Sequence, residues 1–114
     1  MRILVTGGLG FIGSHTCLKL KQAGFPVHIV DNLSNSKLSV LERLKKLSDK
    51  NINFDEIDLR DIKSLSKVFR SVQPVLVIHF AGLKAVAESL EYPLNYYENN
   101  VVSSLNLLKV MNEV

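Results

Sequence analysis

Within the run Gly7-Gly8-Leu9-Gly10-Phe11-Ile12-Gly13, glycines are spaced both as G-x-x-G-x-x-G (Gly7, Gly10, Gly13) and as G-x-G-x-x-G (Gly8, Gly10, Gly13). A pyrophosphate held on backbone N–H groups at a helix N-terminus must come close without meeting a β-carbon, and the helix must also sit close on the preceding strand. Glycine meets both demands. The same residues would also suit a tight turn with no ligand, so context decides. Here the run follows the apolar segment Arg2-Ile3-Leu4-Val5 and opens a helical pattern, which is where a dinucleotide cradle belongs.

Asp31 lies about twenty residues beyond the glycines, at the end of a second apolar run, where a carboxylate accepts hydrogen bonds from adenosine ribose hydroxyls. It would repel a 2′-phosphate, so NAD is expected over NADP, with Lys37 the nearby cation that argues the other way. A turn role beside Asn32 is the alternative for Asp31, and the two roles are compatible. Asp58 leaves the third strand near the expected adenine position; a solvated Asp58-Leu59-Arg60-Asp61 loop with a helix cap is its alternative. Phe80-Ala81-Gly82-Leu83-Lys84 leaves the fourth strand, with small residues for backbone approach and a lysine for phosphate or ribose oxygens; Lys84 as a plain surface lysine is the alternative. Asn95, Asn99 and Asn100 share a helix from which amides reach a cofactor, or else solvent.

The remaining reactive types read as structural. His15, His28 and His79 have no metal-site spacing and are expected to be packed or locally bonded, so no metal is predicted. Cys17 has no feature that would activate a thiolate and reads as a small core residue.

These residues need elements to position them. Ile3 to Val5 is a short buried-strand signal ended by Thr6-Gly7-Gly8; Phe11 to Ala23 is helical, with Ile12, Thr16 and Leu20 at four-residue intervals and a stop at Gly24 and Pro26. Val27 to Val30 is the second strand. Ser39 with Glu42 has capping-box spacing and starts a helix carrying Val40, Leu41, Leu44 and Leu47. Asn53 to Ile57 is a weaker strand signal, and Asp61 introduces a helix with Leu65, Val68, Phe69 and Val72 on one face. Pro74 precedes the most apolar run, Val75 to Ile78. Pro93 suits a first helical turn, after which Leu94, Tyr97, Val101, Leu105 and Leu108 continue a stripe. Strict alternation of strand and helix predicts an α/β fold: a Rossmann-type, doubly wound parallel sheet, truncated to about four strands in the order 3-2-1-4.

Bulk properties narrow the setting. The 114 residues suffice for one domain but are short for a complete doubly wound enzyme. The formal charge of +3 is spread over scattered lysines, without the basic stripe and interleaved aromatics that nucleic acid binding needs. No apolar run approaches the roughly 20 residues of a membrane span. A single cysteine and the absence of a secretory pattern make the cytoplasm the expected compartment.

The motifs together resemble the N-terminal part of the UDP-glucose 4-epimerases, within the extended short-chain dehydrogenase/reductase family. Val5 to His15, Asp31 to Ser36 and His79 to Val86 carry the resemblance, with Pro93 to Asn100, and it extends over the full length. It implies that Phe11 and Ile12, the stretch Asp31, Asn32, Leu33, Ser34, Asn35 and Ser36, then Asp58 and Leu59, Phe80 to Lys84, and Asn99 contact NAD. It implies interconversion of UDP-glucose and UDP-galactose through a 4-keto sugar, part of galactose metabolism, and a homodimer when full length. A Tyr-x-x-x-Lys pair supplies proton transfer in that family. Tyr92, Tyr96 and Tyr97 are followed at that spacing by Tyr96, Asn100 and Val101, so no catalytic residue is expected here. The chain is thus expected to be a fragment, residues 1–114 of an NAD-binding domain without its catalytic and sugar-binding remainder. The alternatives are a short non-catalytic nucleotide-binding module and a fragment of a related nucleotide-sugar epimerase or dehydratase.

Overall fold

The computed structural model describes residues 2–34, 36–48, 52–81, 90–91 and 93–113. Along the chain run β1 (Ile3–Thr6), α1 (Phe11–Gln22), β2 (Val27–Asp31), α2 (Leu38–Leu47), β3 (Ile52–Glu56), α3 (Ile62–Val72), β4 (Leu76–His79) and α4 (Pro93–Tyr97). A π-helical turn (Glu98–Val102) and α5 (Ser103–Glu113) follow. The four strands form one parallel sheet in the order β3-β2-β1-β4, the architecture and order expected.

Alternation along the central strands sends side chains to opposite faces and so creates two cores. Ile3 and Val5 of β1 join Val27 and Ile29 of β2 under α1 and α2, whereas Leu4 and Val30 point the other way into Leu65, Phe69, Leu107 and Val110 of α3 and α5. The registers Thr6↔Val30 and Thr6↔His79 bring the exits of β2 and β4 level with the exit of β1. Successive strands are added to one side of β1 as far as β3 and then, with β4, to its other side. That is the switch point at which open α/β sheets hold ligands.

Four local expectations differ from the structure. In α1 the buried residues are Gly13 and Cys17, while Ile12 is largely exposed, because only small side chains let this helix sit so close to β1 and β2. Helix α2 starts at Leu38 with Lys37 as its N-cap, so no Ser39–Glu42 capping box forms; Asp31 draws in Ser36 and closes the loop earlier. Strand β3 runs one residue earlier than predicted, with Ile52 paired to Val27.

The fourth difference concerns the last helix. The stripe Leu94, Tyr97, Val101, Leu105 and Leu108 faces outward, and Tyr96, Ser103, Asn106, Leu107 and Val110 face inward. An apolar-period reading overlooks that inner face because two of its members are polar. Asn106 is buried only because its amide donates to the carbonyls of Leu59 and Arg60, both at 3.0 Å. The helix was also expected to be uninterrupted, and the π-helical turn breaks it. Strand β4 forms an edge of the sheet among the described residues, with Leu76 half exposed.

Candidate functional site

The turn between β1 and α1 is built around two glycines that the fold itself requires. Gly7 has φ +64°, and a β-carbon there would fall 2.7 Å from the Ala81 nitrogen. A β-carbon on Gly13 would fall 2.2 Å from the Gly7 carbonyl oxygen, so α1 cannot approach β1 with any other residue. Gly8 has a packing role against Ile29. Gly10 is different: its backbone is extended and a β-carbon would meet only the Gly7 oxygen, at 3.3 Å. Among the described residues that contact, tight but short of a clash, is the only obstacle to a β-carbon at position 10, and Gly10 lines the crevice.

Helix α1 adds the donors. Its first intrahelical bond is from the Ser14 N–H to Gly10, leaving the amides of Phe11, Ile12 and Gly13 ahead of the ladder. The helix has no side-chain cap and no acidic residue in its first turn. Such an end suits an anion.

Across the crevice, Asp31 ends β2. Its Oδ2 accepts the Leu9 N–H at 3.2 Å, and its Oδ1 accepts the Leu33 N–H and the Ser36 hydroxyl, each at 2.9 Å. The turn role is thus filled by a carboxylate that also lines the crevice. Asp58 lies at the exit of β3, where the Arg60 guanidinium donates to it at 2.7 Å and holds its carboxyl below the ordinary value. The adjoining Asp61 does cap α3, accepting from the Ser64 N–H.

The crevice between these elements has a cavity volume of about 90 Å³ and opens at the C-terminal ends of the strands. It gathers Gly7 and Gly10, then Asp31, Asn32, Ser34 and Ser36, then Asp58 and Leu59, then Phe80 and Ala81, with Asn99 on the π-helical turn. Phe11, Ile12, Gly13 and Leu33 do not line it: Phe11 and Ile12 project outward from α1, and Leu33 packs against the α1/α2 core. Asn35, Gly82, Leu83 and Lys84 lie outside the described residues. Asn95 is exposed on α4. Lys37 does not line the crevice itself; it lines an adjoining groove between α1 and α2 that shares Gly10 and Ser36 with the crevice.

Sequence reasoning missed Val30, Ile57 and Ser103 in the lining, and Thr6 behind it. Thr6 is fully buried, and its hydroxyl oxygen accepts the Ala81 N–H at 3.2 Å. Only the strand-end position of Thr6, directly before the glycines, could have flagged it. The three histidines are locally bonded as expected: His15 to the Phe11 carbonyl, His28 to Asp55, and His79 to Thr6. Cys17 is fully buried, and burial pushes its thiol up to about 12.

A sequence model of the GDP-mannose 4,6 dehydratase family matches residues 4–114. UDP-glucose 4-epimerase of Schizosaccharomyces pombe is 50% identical over 109 residues, covering 96% of this chain and 31% of that protein. The crystal structure of UDP-glucose 4-epimerase from Bifidobacterium longum in complex with NAD+ and UDP superposes with a TM-score of 0.96 at 45% identity, over 99% of this chain and 34% of the other. The Stenotrophomonas maltophila UDP-glucose 4-epimerase, with bound NAD and formylated UDP-arabinopyranose, gives 0.94 at 42% identity, over 98% and 33%. The chain thus spans about a third of the length of the relatives it matches.

Proposed function

This chain belongs to the GDP-mannose 4,6 dehydratase family, and from that membership we propose that it is the N-terminal NAD-binding part of a UDP-glucose 4-epimerase. The observation that carries the reading is the convergence, at the switch point beside β1, of Gly10 in the crevice lining, an uncapped helix N-terminus and two carboxylates. These groups fit NAD. The amides at the start of α1 would hold the pyrophosphate beside Gly10, Asp31 the adenosine ribose, Asp58 the adenine side, and Asn99 with Phe80 and Ala81 the far wall. Gly82, Leu83 and Lys84 would continue that wall.

NAD held there supplies the acceptor and donor for oxidation and reduction at C4 of the sugar, so that a 4-keto intermediate links UDP-glucose and UDP-galactose. The residues of this chain bind and orient. A proton-transferring Tyr-x-x-x-Lys pair is not among them, so this stretch alone is inactive and chemistry belongs to the whole enzyme, an isomerase of galactose metabolism. A second copy of the enzyme is the proposed protein partner, supported by the outward apolar stripe of α4 and α5. We place the enzyme in the cytoplasm; among the described residues no helix is long and apolar enough to cross a membrane.

Titration with NAD and NADP, followed by calorimetry, tests the binding claim. Saturable NAD binding with weaker NADP binding is expected; no binding up to millimolar NAD, or a preference for NADP, sinks it. Expression of the whole reading frame tests the reaction: interconversion of UDP-glucose and UDP-galactose is expected, and conversion of another nucleotide sugar alone would move the enzyme to a related epimerase or dehydratase.

A further inference from the structure

Behind the crevice wall a chain of hydrogen bonds runs from β4 through β1 to the last helix. The Ala81 N–H donates to the Thr6 hydroxyl oxygen at 3.2 Å, Thr6 meets His79 Nδ1 at 2.5 Å, His79 Nε2 meets the Ser104 hydroxyl at 3.2 Å, and that hydroxyl donates to the Asn100 carbonyl at 2.8 Å. Proton bookkeeping fixes the direction. A carbonyl only accepts, so the one proton of Ser104 is committed to Asn100, and His79 must carry its proton on Nε2. In the neutral ring Nδ1 is then an acceptor and takes the Thr6 proton, leaving a Thr6 lone pair for Ala81. Every donor has an acceptor, and each bond polarises the next in the same sense.

The chain ends on the π-helical turn. Such a turn is wider than an α-helix and recurs at functional sites, where something must hold it in place. Here the Asn100 carbonyl receives both the Ser103 N–H and the Ser104 hydroxyl, a back-bond that competes with the regular helical ladder. Asn99 and Ser103, on either side of that carbonyl, line the crevice. On the other flank Asn106 ties α5 to the Leu59 and Arg60 carbonyls. The helix is therefore fastened to the exits of both β4 and β3, with Asn99 between.

We propose that His79 is a positioning residue: as the Nε2–H tautomer it links Thr6 to Ser104 and holds the π-helical turn so that Asn99 stays in the wall of the dinucleotide crevice. This rests on the reading of that crevice as the NAD site. His79 itself touches no cofactor; it acts through Ser104 and Asn99.

The test combines a tautomer measurement with a mutant cycle on NAD affinity. Long-range proton–nitrogen spectra of the wild-type chain should show His79 protonated on Nε2 alone; a proton on Nδ1 overturns the proposal. His79→Asn keeps an acceptor toward Thr6 but cannot reach Ser104, and Ser104→Ala removes the same link from its other end. Each should weaken NAD binding about tenfold, the double variant no further, and Ser104→Thr, which retains the hydroxyl, should bind as wild type. In an Asn99→Ala background His79→Asn should have no additional effect, whereas a merely structural His79 would still lose affinity there. Wild-type affinity in folded His79→Asn, or additive losses with Asn99→Ala, would overturn positioning while leaving the NAD reading intact. If the wild-type chain shows the Nε2–H tautomer and yet binds no NAD, the dinucleotide reading falls and the proposal falls with it.

Discussion

Asp31 Oδ2 accepts the Leu9 amide at 3.2 Å across the mouth of the crevice, so the carboxylate proposed to face the ribose also fastens the glycine turn to the end of β2. Fold and affinity are coupled through one side chain. Asp31→Ala strips acceptors from Leu9, Leu33 and Ser36 together and is expected to lower stability by about 1–3 kcal/mol in urea unfolding. Asp31→Asn can serve only one side of that set, and it also removes the charge that would repel a 2′-phosphate. NAD and NADP titrations should converge in Asp31→Asn, and an unaltered preference for NAD would remove Asp31 from the ribose site.

Gly10 and Gly13 separate what the ligand needs from what the fold needs. Alanine at position 10 keeps an extended backbone and meets only one atom, so stability should change by less than about 1 kcal/mol while NAD affinity drops. Alanine at position 13 drives a β-carbon into the Gly7 carbonyl and should unfold the chain or move α1. Chemical denaturation alongside NAD titration distinguishes the two. Equal destabilisation by both substitutions would contradict the assignment of Gly10 to the ligand.

Much of this division was legible in the sequence, because a buried parallel strand ending in spaced glycines leaves few structures open. The order β3-β2-β1-β4 followed from alternation of strand and helix, and Asp31, Asp58 and Asn99 reached the crevice because they occupy strand exits and one helix face. What stayed hidden depends on contacts distant in sequence. Asn106 and Ser103 look like solvent-facing residues until the carbonyls of Leu59 and Arg60 are seen beside Asn106. No periodicity announces a π-helical turn, and Thr6, read as the end of a strand, gains its role only from His79, which lies opposite it in the sheet.

The Asp58–Arg60 pair sets an acid dependence. Arg60 holds the Asp58 carboxyl below its ordinary value in the folded chain, so the unfolded chain binds the proton more readily. Stability from the pair is fully present above the unfolded carboxylate value near about 3.9 and is lost as pH falls through the lower, folded value. About a third of each side chain is exposed, which limits the effect to below about 1 kcal/mol. Urea midpoints measured from neutral pH downward should fall less steeply at acid pH in Arg60→Ala than in wild type. Parallel curves would show that the pair contributes nothing.

Cys17 offers a probe of packing between α1 and the sheet. With its thiol pushed up to about 12 and no exposed surface, only about one molecule in ten thousand would carry the thiolate at pH 8. A disulfide reagent should therefore modify native protein far more slowly than protein in urea, and the native rate should follow opening of α1. Rapid modification of the folded chain would mean that α1 does not close over Gly8 and Ile29 as the geometry requires.

The outward stripe on α4 and α5 leads to a last expectation. Leu94 is 83% exposed and Tyr97 67% on α4, and Leu105 and Leu108 are 50% and 62% exposed on α5, whose opposite side is already packed on α3. Large apolar side chains left exposed along one helical segment are characteristic of an interaction surface. Among the described residues the apolar strand β4 has a strand neighbour on one side alone, and its outer edge is a second candidate surface. The chain should therefore self-associate in sedimentation velocity runs. Because Leu105 and Leu108 contribute nothing to either core, Leu105→Glu with Leu108→Glu should reduce association without lowering the urea midpoint. Association that persists in this double variant would assign it to the β4 edge, and a wild-type chain that sediments as a monomer at every concentration would reject both surfaces.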